Sequence, residues 1–149
     1  STIMFTLPFK KLKKDTSGAT MIEFAFAGPV LLLLTFGFFE FCRALFIQGV
    51  LNYSAEQATR YAMVNFEQNN VDQNYLDSVA IQIKNHARDS FILIDENKIT
   101  DFDVTVAVNP GDMTKTVSIA IDYNYSMIMP LVPQSTFTLT GKSESFLIQ

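Results

Sequence analysis

Residues 24–39 read Phe-Ala-Phe-Ala-Gly-Pro-Val-Leu-Leu-Leu-Leu-Thr-Phe-Gly-Phe-Phe, sixteen positions without a charge. As a helix rising 1.5 Å per residue they span about 24 Å, short of a hydrocarbon core of about 30 Å. Extending the run back to Ala19 gives 21 residues and about 31 Å, but then encloses Glu23. A charge at mid-bilayer costs roughly 2.5–3.5 kcal/mol on insertion scales and less near a boundary. Glu23 lies near the boundary, so the helix can insert, with a carboxylate left wanting a partner.

Outward from this run the chain changes character. Residues 19–51 hold 23 apolar positions out of 33, while the other 116 positions are about 41% apolar, an ordinary soluble level. In a chain of 149 residues that pattern predicts a membrane or packing segment joined to one small body. Charge divides the same way. Residues 1–18 carry Lys10, Lys11, Lys13 and Lys14 against Asp15, a net +3, and the remainder carries −7. After the run, Glu40, Arg43, Glu56 and Arg60 roughly cancel. The positive-inside rule therefore puts the N-terminus in the cytoplasm and the body outside.

A cleaved secretory signal competes with this reading, since it too joins a basic region to an apolar run. No small-x-small pair follows Phe39, however, and Ala25-Phe26-Ala27 precedes the leucines. Lipidation at Cys42 is disfavoured by Glu40 and Phe41 where small residues belong. An acidic body argues against nucleic acid, whose phosphates need clustered Lys and Arg. One cysteine excludes an intramolecular disulfide, and one histidine makes a His-rich metal site implausible. No nucleophile has a neighbouring base and no phosphate-binding glycine loop is present, so neither enzymatic activity nor a cofactor is expected.

At residues 17–24 the order is Ser-Gly-Ala-Thr-Met-Ile-Glu-Phe. A basic stretch, a glycine and a glutamate five residues later, leading into an apolar helix, resembles the processing site of type IV prepilins. A plain helix cap at Ser17-Gly18 is the simpler alternative. Four further stretches, Glu23-Phe24-Ala25, Pro29 through Leu34, Glu40-Phe41-Cys42-Arg43 and Ala58-Thr59-Arg60-Tyr61-Ala62, resemble in order the TadE-like pseudopilins of tight-adherence (Tad) pilus systems. The helix similarity covers about residues 17–64; the strand-rich tail is more loosely similar. Cys42 departs from the small residue, often glycine, usual there, and Phe24 from the tyrosine of many Tad major pilins.

The resemblance implies a cut between Gly18 and Ala19 by a prepilin peptidase on the cytoplasmic face. Glycine suits such an extended scissile segment because it has no side chain to obstruct close approach. Glu23 would then be the fifth mature residue, neutralising a neighbour's new N-terminus and setting subunit register, since opposite charges attract strongly in low dielectric. The implied partners are the membrane, the peptidase, other pilin and pseudopilin subunits and an inner-membrane assembly platform. The implied location is the bacterial inner membrane, with possible incorporation in the pilus. Tad major pilins are very short, so a globular body suits a minor component. The competing expectation is an uncleaved, single-pass anchored extracytoplasmic binding or scaffold protein.

Pro29 removes a backbone donor and, with Gly28, is expected to bend the helix, as a tolerated kink or as a working bend point. Glu40 and Arg43 are spaced to pair on one helix face, either as a solvated anchor at the membrane interface or between subunits. Cys42 beside them reads as a buried small apolar residue.

Past the bilayer, Ile47, Leu51, Ala55, Ala58 and Ala62 form one narrow helical face, whose alanines allow close approach of the body. Gln48, Asn52, Glu56 and Thr59 form the solvated face. A loop at 68–73 leads to a second helix with Leu76, Val79, Ala80, Ile83 and Ala87 on its stripe. His86 lies off that stripe and reads as a surface residue. The period then becomes two. Phe102, Val104, Val106 and Val108 form one strand, and Val117, Ile119, Ile121, Tyr123 and Tyr125 a second, joined by a turn at Asn109-Pro110-Gly111-Asp112. A third begins near Thr136 with Phe137 and Leu139 inward; the opposite parity of Phe146 and Ile148 suggests a bulge near Gly141 or a change of cover.

The expected fold is α+β and pilin-like: a long N-terminal transmembrane and stem helix, a second helix and a three-stranded antiparallel sheet. Residues 1–18 form the leader, 19–47 the membrane part and 48–149 the stem and body. The connection Met127–Pro133 is apolar for a loop, packed either on the sheet end or on a membrane or neighbouring subunit. The acidic residues Asp95, Glu96, Asp101, Asp103 and Asp112 lack EF-hand spacing and read as solvated turns.

Overall fold

The computed structural model describes residues 16–66, 72–108, 111, 114–129 and 133–147. The basic stretch Lys10–Lys14, positions 68–71 of the expected loop, Asn109, Pro110 and Asp112 of the expected turn, positions 130–132 and Ile148 lie outside them. The element order is α1 (Thr16–Asn65), α2 (Gln73–Arg88), a 3-10 turn (Glu96–Lys98), β1 (Ile99–Val108), β2 (Lys115–Ser126) and β3 (Thr136–Leu147). The sheet is antiparallel in the order β1-β2-β3, the α+β arrangement expected. The chain divides between Phe39 and Glu40 into two compact units.

The first unit is the opening part of α1. Its large apolar side chains, among them Met21, Phe24, Phe26, Leu31, Leu34 and Phe38, are exposed. Among the described residues this is the one helix long and apolar enough to cross a membrane. Thr35, the polar side chain inside the leucine and phenylalanine run, donates its hydroxyl to the Leu31 carbonyl at 2.8 Å. That bond removes the cost of carrying a hydroxyl into hydrocarbon.

The second unit begins at Glu40 and holds the rest of α1 with α2 and the sheet. Ile47, Leu51, Ala55, Ala58 and Ala62 are all buried, as their spacing predicted. Ala44, which sequence placed in the membrane part with Ile47, also packs against this core. The stripe is wider than read, because Ser54 and Thr59 are buried too. Thr59, assigned to the solvated face, sits beside Ala58 and satisfies its hydroxyl on the Ala55 carbonyl at 2.9 Å. Gln48, assigned to the same face, is half-buried and donates to the Thr140 carbonyl at 2.8 Å.

α2 is capped by Asp72, whose side chain accepts from the Asn74 N–H at 3.3 Å. Its stripe buries Val79, Ile83 and Ala87. Aromatic contacts tie it to α1 and to the residue just after it: Tyr61 of α1 stacks on His86 at 4.5 Å, and Phe66 meets Tyr75 at 6.0 Å between centroids. His86 is thus half-buried rather than a free surface residue; lying off the apolar stripe, it still meets a ring of the neighbouring helix.

β2 is the central strand and alternates strictly, with Val117, Ile119, Ile121, Tyr123 and Tyr125 in the core. Opposite them, Val106, Val104 and Phe102 of β1 supply the partners of Val117, Ile119 and Ile121 on the same face. Register along β2 and β3 is unbroken from Lys115↔Leu147 to Ser126↔Thr136, so β3 has no bulge at Gly141; the irregularity lies in β1, between Ile99 and Asp101. The parity change instead reflects cover. Gly141 faces α1, where an added Cβ would lie 2.5–2.7 Å from the Leu51 carbonyl carbon, Cβ and oxygen. Only a residue without a side chain allows that approach. Phe146 is on the other face of the sheet and exposed.

Candidate functional site

The most elaborate polar constellation forms where α1 enters the second unit. Glu40 and Arg43 are one helical turn apart and make an ion pair at 2.5 Å. They are not a solvated pair: the Glu40 side chain is only 13% exposed. The same carboxylate oxygen accepts from the Tyr125 hydroxyl at 2.5 Å and from the Ile128 N–H at 3.4 Å. The Arg43 guanidinium also donates to the Ser126 carbonyl at 2.6 Å and lies 4.6 Å from the centroid of the Tyr125 ring. Its Nε is buried without a partner.

Each member is placed by its element. Glu40 and Arg43 lie on the face of α1 that leads to Ile47, and Tyr125 is the last inward residue of β2. Ser126 closes that strand, and its hydroxyl receives the Lys98 ammonium at 2.9 Å. Tyr125 is all but fully buried, and burial, followed by its hydrogen bond to Glu40, pushes its hydroxyl up to about 12. It is a committed donor, stacked against an arginine and tied to a carboxylate. Nothing here resembles a nucleophile and base; the arrangement locks a helix to the end of a strand.

Sequence placed Glu40 with Arg43, but not Tyr125, Ser126 or Ile128 beside them. Those partners are 83–88 positions away, and no local pattern signals such distances. Cys42 is exposed, contrary to the expectation of burial. It precedes buried Ile47 by five residues, about 140° round the helix, which turns it away from the core.

The other residues singled out lie in the first unit. Gly18 and Ala19 are exposed in the opening turns of α1, and an added Cβ at Gly18 meets nothing within 4 Å. Glu23 is exposed, and among the described residues no salt bridge includes it. Pro29 lies within the helix, which continues through it, and Gly28 has only ordinary contacts with the Phe24 ring. The structure brings Glu40 and Arg43 together, and does not gather Gly18, Glu23 and Pro29 into a site with them.

The two units thus comprise an exposed apolar helix apt for single-pass anchoring and an α/β body closed on the continuation of that helix. Residues 18–60 match the family model described as TadE-like protein, the family that the sequence resembles. No curated protein and no solved structure matches the chain.

Proposed function

We propose that the protein is a minor pilin or pseudopilin of a Tad-type pilus, cut after Gly18 by a prepilin peptidase and acting through packing of its N-terminal helix. The observation that carries this reading is the TadE-like match, which begins at Gly18 and runs through the apolar helix into the stem. Two physical features support it. Among the described residues Gly18 has neither a positive φ nor a close neighbour to require glycine. A peptidase that must reach the backbone supplies a reason the fold does not. Likewise Glu23 stands among the exposed apolar side chains of Met21, Ile22 and Phe24 and has no salt bridge among the described residues, a costly placement that a neighbouring subunit's Ala19 ammonium would offset.

In this account the helix inserts with the body outside the inner membrane, and the processed subunit waits there for assembly. Fourteen phenylalanines in the chain, many exposed on the helix, provide packing surface for neighbouring helices in place of lipid. The test is N-terminal sequencing of membrane-extracted protein from cells with the peptidase. Ala19 as first residue supports the proposal; an intact Lys10–Lys14 stretch overturns it and favours a permanently anchored binding or scaffold protein.

A further inference from the structure

The three-stranded sheet has two outer edges, and the chain treats them differently. Backbone groups of an antiparallel strand point to its two sides in alternation. The Met127 N–H donates to the Ser135 carbonyl at 3.2 Å, one step beyond the Ser126↔Thr136 pair. Odd-numbered residues of β2 therefore bond to β3 and even-numbered ones to β1. Through the register Phe102↔Ile121 and Val104↔Ile119, the outward groups of β1 belong to Phe102, Val104 and Val106. On β3 they belong to the even-numbered residues, and there the edge is guarded. Gln48 takes the Thr140 carbonyl at 2.8 Å, and Lys142 and Glu144 follow with charges, a usual defence of a sheet edge. β1 carries no charge from Val104 to Val108, a run of Val-Thr-Val-Ala-Val rich in strand formers. Among the described residues no backbone hydrogen bond beyond its ladder with β2 involves it.

α2 flanks the β1 edge without closing it. A cleft of about 340 Å³ lies between Leu76, Asp77 and Ala80 of α2 and Asp103–Val106 of β1. A second, of about 310 Å³, continues along β1 toward Lys84, Arg88 and Phe102. Leu76, Ala80, Val104 and Val106 are only half-buried. We infer that this slot takes an extended cationic segment of a partner protein as a fourth strand, paired with the outward backbone groups of β1. Its alternate side chains would meet the apolar floor of α2 and, on the other face of the sheet, Asp103. Main-chain pairing supplies affinity in such docking, and the alternate side chains supply selection. Four acids line the slot, Asp77, Glu96, Asp101 and Asp103, against two bases, Lys84 and Arg88. Lys84 is turned onto the Phe102 ring, 5.8 Å from its centroid. Asp77 and Asp103 accept from neutral groups, Gln73 at 3.2 Å and Thr105 at 3.0 Å, and among the described residues neither is in a salt bridge. Charge complementarity thus favours a strand bearing lysine or arginine over a second copy of this chain, whose net charge is −4. The slot lies wholly within the second unit, so its occupancy is independent of processing at Gly18.

The test uses the full chain in uncharged detergent micelles and a capped, fluorescently labelled octapeptide of alternating lysine and valine, with binding read by anisotropy. The expected result is saturable binding, lost when the valine nitrogens are methylated and absent for the matching glutamate–valine peptide. Val104→Pro removes an outward N–H that the ladder with β2 does not use; it should abolish binding while near-ultraviolet dichroism of the body is unchanged. Asp103→Asn should weaken binding about two- to five-fold, the range for one exposed ion pair. Absence of binding, equal binding of the glutamate–valine peptide, or binding that survives valine N-methylation or Val104→Pro overturns the proposal. If Val104→Pro unfolds the body, the N-methylated peptide on the unaltered chain decides alone. A concentration-dependent dimer that the lysine–valine peptide does not displace, and that Val104→Pro abolishes, identifies a second copy as the occupant and also overturns the proposal.

Discussion

Gly141→Ala is the sharpest probe of how the body closes on its helix. The new methyl would lie 2.5 Å from the Leu51 carbonyl carbon, 2.6 Å from its Cβ and 2.7 Å from its oxygen. Two of those atoms are backbone, and the Cβ is retained in every residue but glycine, so no rotamer change clears the space. Either α1 shifts away from β3 or the strand bends, in a core that resists both. Overpacking of this kind costs about 1–3 kcal/mol, and the immobility of the neighbours places Gly141 at the upper end. For a body of this size that is a fall in Tm of roughly 10 °C. The sign carries the argument, because alanine in an open strand position would gain about 0.5–1 kcal/mol over glycine. With five tyrosines and no tryptophan, near-ultraviolet dichroism in detergent micelles follows tertiary unfolding in urea. Leu51→Ala should not rescue Gly141→Ala, since every clashing atom survives. A neutral or stabilised Gly141→Ala variant, or rescue by Leu51→Ala, would refute the close approach.

Two further outcomes follow from the polar lock. Tyr125→Phe removes the hydroxyl that donates to Glu40 and should cost about 1.5–3 kcal/mol, the range for bonds to charged groups, read as a lower urea midpoint with an unchanged m-value. Alkaline titration gives the second. Burial pushes the folded Tyr125 hydroxyl up to about 12 from an ordinary value of 10.0, so below pH 10 its contribution is expected to be fully present. Between about 10 and 12 the unfolded chain sheds the proton and the folded one keeps it, and stability falls as pH rises. Burial, then Asp95, raises Tyr123 as well, so Tyr125→Phe should make the alkaline fall shallower without abolishing it. A fall of the same steepness in wild type and variant would contradict the assignment.

Much of the fold was legible because it rests on periodicity. The stem stripe from Ile47 to Ala62, the α2 stripe and the alternation of β2 each repeat a local spacing; the first and last are buried where it points, and the α2 stripe buries Val79, Ile83 and Ala87 while Leu76 and Ala80 are half-buried. The misreadings concern distance and width. Thr59 is a good solvent-facing candidate until its hydroxyl finds the Ala55 carbonyl; Gly141 resembles a bulge until the helix backbone is seen against it. At the candidate site, the spacing of Glu40 and Arg43 announced the pair, whereas Tyr125 was legible only as a core residue. That its hydroxyl is the donor to Glu40 is a fact of tertiary packing across 85 positions. The resemblance at Gly18 and Glu23 was carried by residue order, and among the described residues Gly18 meets nothing within 4 Å of an added Cβ and Glu23 has no salt bridge.

The most direct test of the pseudopilin account is the intact mass of the full chain made with and without a prepilin peptidase. The account predicts loss of residues 1–18 only with the enzyme, abolished by Gly18→Val and retained by Glu23→Ala. An unchanged mass in the presence of an enzyme active on another prepilin would contradict it.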